Sequence, residues 1–159
     1  MTRVGIAMSE LTSSGHSLPG RDGLPRSAAD LPAQLRRLLG HWQDIGSAPD
    51  GASNLSDNSR RALVRDMVYW SAWYREVYGD DLSLPVAVEP VRLFVAHHLY
   101  ADEAPAEGGL PRMPETVAYA LRDAGLKRTS GPWKPASVRR RLASLATLHA
   151  IAGLSTPTA

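Results

Sequence analysis

Ser56 to Tyr78 (SDNSRRALVRDMVYWSAWYREVY) is the longest stretch of the chain that keeps one period, and it constrains what the rest can do. Leu63, Met67, Trp70, Tyr74 and Val77 recur at intervals of four, three, four and three, which predicts an α-helix with one apolar side. Ser56 or Asn58 offers an N-cap oxygen, and Gly79 suits the left-handed position just past the end. Trp70 and Trp73 are expected in a core, because two large apolar rings three residues apart on a helix are seldom left in water.

Four more stretches carry a helical period. Asp30 to Ile45 has Leu31, Leu35, Leu38, Leu39 and Trp42 on one side, with Asp30 as the expected N-cap and Pro32 in the first turn. Gly40 weakens it by about 1 kcal/mol relative to alanine. Pro90 to Tyr100 points Val91, Phe94, Val95 and Leu99 inward, and Pro114 to Ala124 is a short helix stopped at Gly125. Lys134 to Gly153 begins with Pro135, ends before Gly153, and carries Val138, Leu142, Leu145, His149 and Ala152 along one side. No strand-like alternation appears, so the fold class is all-α, a small bundle of about five helices. Residues 1–28, rich in Gly, Pro and Ser without period, predict a disordered arm; 29–52 predict a helix and linker, and 53–159 the main domain.

Composition narrows the chemistry. The chain has no cysteine, which excludes disulfides and thiolate metal sites and fits a reducing cytoplasm. It has no apolar run long enough for a membrane span, and MTRVGIAMSELTSSG lacks the apolar segment of a secretory signal. His97 and His98 are adjacent, so they diverge by about 100° on a helix and make a poor pair of metal ligands. Neither a phosphate-cradling GxxxxGK[ST] or GxGxxG loop nor a GxSxG elbow is present, and carboxylates such as Asp80–Asp81 and Asp102–Glu103 fall in predicted loops. These features point to a binding module without metal or cofactor.

The charge is unevenly placed. The net value of +2 hides a segment from Ala124 onward with six Lys and Arg and no acid, behind a remainder with twelve against sixteen. Such polarity predicts a polyanionic partner. Arg139, Arg140 and Arg141 fan over about 200° of the last helix, so at least two of them must leave the apolar side. Arg60, Arg61 and Arg65 form a second basic cluster near the start of the long helix.

Taken in order, three segments resemble the N-terminal core-binding domain of tyrosine recombinases of the phage-integrase type. They are SDNSRRALVRDMVYWSAWYREVYG with its W-x-x-W pattern, LPVAVEPVRLFVAHHL, and KPASVRRRLASLATLHAIAGLSTPT, in which Leu148–His149 is followed by Gly153 and Pro157. The resemblance covers Ser56 to Ala159. It implies a helical, SAM-like bundle forming half of a clamp around duplex DNA, with homo-oligomers, tetramers in the family, assembling on the recombination site. The groove-facing positions it implies are Ser59, Arg61, Ala62 and Arg65 on the long helix, and Ser137, Arg139, Arg140 and Arg141 on the last. The charge pattern adds Arg60 and Lys134. His149 takes the family's Leu-His position, which implies a packed ring. The segment between Tyr100 and Trp133 is longer than in some members, though others carry a similar extra helix. The family's catalytic Arg, Lys, His-x-x-Arg and Tyr are expected after the point where this sequence ends, so no tyrosine here is expected to act as nucleophile. The alternative expectation is a protein-interaction module in which the Asp30 helix packs on a neighbouring subunit.

Overall fold

The computed structural model describes residues 23–45, 57–99, 111–129 and 131–157. It holds five α-helices, α1 (Ala33–Ile45), α2 (Asp57–Tyr78), α3 (Val88–Leu99), α4 (Glu115–Asp123) and α5 (Pro135–Ile151), with a 3-10 turn at Ala28–Asp30. There is no strand among the described residues. Each helix falls within a few residues of the stretch that predicts it.

α2 is the centre of the molecule. Every residue from Asp66 to Trp73 is buried, and eight consecutive residues pass more than twice round a helix, so its middle is covered on all sides. This exceeds the single stripe expected from Leu63, Met67 and Trp70, because Val68, Tyr69 and Ala72 on the other sides are buried too. α4, α5 and the 3-10 turn pack against α2. α3 closes the remaining side through Phe94, which stacks on Trp70 at 3.7 Å between ring centres and meets Trp73 edge-on at 5.1 Å.

The inward side of α3 differs from the expected one. Pro90, Val91, Phe94, Ala96, His97 and His98 are buried, whereas Val95 and Leu99 are only half-buried. Two imidazoles take the core positions that the apolar pattern gave to Val95 and Leu99.

At the N-terminal side, the arm expected to run to residue 28 gives way to ordered chain at Gly23. Leu24 is buried, and Arg75 Nη1 donates to the Gly23 carbonyl at 2.7 Å. Residues 1–22 lie outside the described residues. Asp30 does not cap α1. Its Oδ2 accepts from the backbone N–H of Arg26 and of Ser27, both at 3.1 Å, closing the 3-10 turn, and these bonds hold its pKa below the ordinary carboxylate value. α1 then starts after Pro32, whose carbonyl receives the Arg36 N–H at 3.0 Å. Leu31, Leu35 and Leu39 join the common core. The linker expected after Ile45 lies outside the described residues.

The segment after α2 is tied to α1 and α5. Leu82, Leu84 and Val86 are buried and alternate with exposed Ser83, Pro85 and Ala87; the Leu84–Pro85 peptide is cis. Gln34 grips Leu84 twice, accepting from its N–H at 2.9 Å and donating to its carbonyl at 3.4 Å. His149 Nε2 accepts the Val86 N–H at 3.0 Å while Nδ1–H donates to the Leu145 carbonyl at 2.8 Å. The ring is a packed connector, as its place on the apolar side of α5 predicts. No helix among the described residues is long and apolar enough to cross a membrane.

Candidate nucleic-acid interface

The two basic clusters meet where α5 crosses α2, and the crossing is fastened by Asp66. This carboxylate lies mid-helix with its side chain 1% exposed. Ser144 Oγ donates to Oδ2 at 2.7 Å, Arg140 Nη2 donates to Oδ1 at 3.0 Å, and Arg141 Nε lies 3.8 Å from Oδ1. A buried charge is tolerated only where such partners surround it. Trp70 Nε1 adds a further link by donating to the Arg141 carbonyl at 3.1 Å.

Around this fastening the predicted residues sort by exposure. Arg61, Arg65, Lys134 and Arg139 are exposed, and among the described residues none of the four has an ion-pair partner. Ser59, Arg60 and Ser137 are half-buried. Arg140 keeps 53% of its side chain exposed despite its bond to Asp66. Arg65 and Arg140 both lie close enough to Arg141 to disfavour its charge, which puts the α2 and α5 clusters in one neighbourhood.

Arg141 departs from the groove-facing set. Its side chain is 13% exposed, with the guanidinium carbon 3.9 Å from the Trp133 ring centre and 5.0 Å from that of Tyr69. Burial lowers its pKa while Asp66 opposes the shift. The physical reason is its position: three residues after Val138 and one before Leu142, it borders the core, and the ring faces of Trp133 and Tyr69 receive a cation there.

Trp133 is itself held from several sides. Its N–H donates to the His98 carbonyl at 2.7 Å, and its ring stacks on His98 at 4.3 Å between centres. The preceding connector is folded around Lys127, a buried lysine whose Nζ donates to the carbonyls of Thr129 and of Gly131, the latter at 2.7 Å. Burial lowers its pKa. Beneath the connector, His98 Nδ1–H donates to the Phe94 carbonyl at 2.6 Å and Nε2 accepts the Tyr69 hydroxyl at 2.7 Å. His97 Nδ1 accepts from Trp73 Nε1 at 3.1 Å. Burial pushes the pKa of His98 down to about 3 and that of His97 to about 4, and raises that of Tyr69. At neutral pH both imidazoles are therefore uncharged connectors between α2 and α3.

Asp66, Ser144 and Trp133 are the residues that the pattern of basic side chains did not bring forward. Asp66 had a signal of its own: it falls three residues after Leu63 and four before Trp70, an acid within the apolar side of α2. Compared with known protein families, curated proteins and solved structures, the chain matches none.

Proposed function

We propose that the chain binds duplex DNA through the joined basic faces of α2 and α5, as the core-binding clamp domain of a site-specific tyrosine recombinase. The observation that carries this is the Asp66 fastening, which ties Arg140 of α5 to a buried carboxylate of α2, next in sequence to Arg65, while Arg61, Arg65 and Arg139 stay exposed. In this role Arg61, Arg65, Arg139 and Lys134 neutralise phosphates, and the affinity is dominated by release of counterions. The recombinase assignment rests on the order of the three resembling segments, on the all-helical fold they were expected to give, and on the packed ring of His149. Strand cleavage belongs to the family's catalytic half, so this chain's part is to grip and orient the site.

Fluorescence polarisation of a labelled random duplex, titrated from low to moderate salt, tests the role. Four phosphate contacts give a plot of log affinity against log salt with a slope of about −3.6. Arg61→Glu and Arg139→Glu are expected to weaken binding and flatten that slope while leaving the melting temperature within about 1–2 °C, because neither side chain is buried or paired. Affinity that does not change with salt would refute the proposal.

A further inference from the structure

Arg140 differs from its neighbours in one respect. Among Arg61, Arg65, Arg139 and Arg140, it is the one whose guanidinium is bonded to a fixed anchor among the described residues. Asp66 cannot turn away, since its side chain is 1% exposed and its second oxygen is held by Ser144 at 2.7 Å. The tether uses one N–H of Nη2, and a guanidinium has five. The other hydrogen of Nη2 still has a parallel neighbour, on Nη1 or on Nε, and so keeps the pair of donors that a planar, two-acceptor edge requires. Just over half of the side chain remains open to a partner.

Phosphate oxygens accept from many directions, so long untethered arginines serve them well. Reading a base is more demanding, because two bonds must form together at fixed geometry to N7 and O6 of guanine. A side chain that has already lost its rotamer freedom to an internal anchor meets that demand at less cost in entropy. We propose that Arg140 is the specificity-determining side chain of the interface, donating to N7 and O6 of one guanine in the major groove, with Asp66 and Ser144 as the positioning residues that aim it. The assignment rests on the DNA-binding role proposed above and divides labour within it. Arg61, Arg65, Arg139 and Lys134 hold the backbone, and Arg140 chooses the sequence.

The experiment is selection of bound duplexes from a random library with the full chain, read by sequencing, with the melting temperature recorded for each variant. The unaltered protein is expected to enrich guanine at a defined position. Arg140→Lys keeps the charge and can still pair with Asp66, but cannot form the parallel pair. It is expected to lose about 5- to 150-fold of the preference at that position, with the other positions and the salt slope unchanged. Ser144→Ala and Asp66→Asn are expected to weaken the same position only, and Arg139→Lys to change none. Should Asp66→Asn fail to fold, Arg140→Lys and Ser144→Ala still decide the matter. A guanine preference that survives Arg140→Lys, or a loss spread evenly over all positions, overturns the assignment while leaving DNA binding in place. Absence of any guanine preference in the unaltered protein does the same. Absence of salt-dependent binding to every duplex overturns the DNA role and this assignment together.

Discussion

Tyr69 and Trp73 bring a hydroxyl and an indole N–H into the centre of the bundle, and each buried donor needs an acceptor. His98 and His97 supply them, which is why two imidazoles stand where apolar side chains were expected. The same arrangement sets an acid limit on the fold. Both rings have pKa values near 6.5 in an unfolded chain and about 3 and 4 when folded. Between those values the unfolded chain takes up protons that the folded one refuses. Stability is therefore complete above pH 6.5 and is lost as the pH falls from there toward 4, by roughly 1 kcal/mol per histidine per pH unit. Thermal melts from pH 7.5 to 5 are expected to show a midpoint that falls below pH 6.5. A midpoint that stays level to pH 5 would mean that the folded protein accepts those protons.

Element ends and interiors offer two opposite glycines. Gly153 has φ +70° just past α5, and its N–H donates to the Ala150 carbonyl at 3.0 Å while Leu154 N–H reaches the His149 carbonyl at 2.9 Å. That conformation is strained for a residue with a Cβ, so Gly153→Ala is expected to cost about 1 kcal/mol. Gly40 lies inside α1, where an added Cβ meets nothing within 4 Å, so Gly40→Ala is expected to stabilise by about 0.5–1 kcal/mol. Differential scanning calorimetry should move the two midpoints in opposite directions by a few degrees. Shifts of the same sign would contradict the assigned backbone conformations. These elements were legible because their signals are local: a period, a proline at the first helical position, a terminal glycine. The enclosure of the middle of α2 was not, since Val68, Tyr69 and Ala72 carry no period of their own and are buried by helices far along the chain. Leu82, Leu84 and Val86 read as an ordinary loop for a similar reason. Gln34 and His149, which hold that segment, lie 50 and 63 residues from the positions they bond.

At the scale of the whole molecule, the uneven charge could be read directly, and the exposed positions of Arg61, Arg65 and Arg139 agree with it. Which of three consecutive arginines borders the core follows from the α5 pattern, since Arg141 lies three residues after Val138 and one before Leu142. What could not be read was the receiving surface, because Trp133 arrives from the connector to take the Arg141 guanidinium on its ring face. The same connector contains Lys127, whose amine is enclosed and bonded to two carbonyls. The chain has just one other lysine, Lys134, which is exposed at the start of α5. An acylating reagent thus meets one open side-chain amine and one that reacts only when the fold opens locally. Saturating duplex is expected to shield Lys134 and leave Lys127 as slow as before, read site by site in a mass spectrometer. Equal acylation of Lys134 with and without duplex would put the contact elsewhere. The enclosed amine serves as an internal clock for unfolding, so protection by a bound partner can be told apart from tightening of the protein itself.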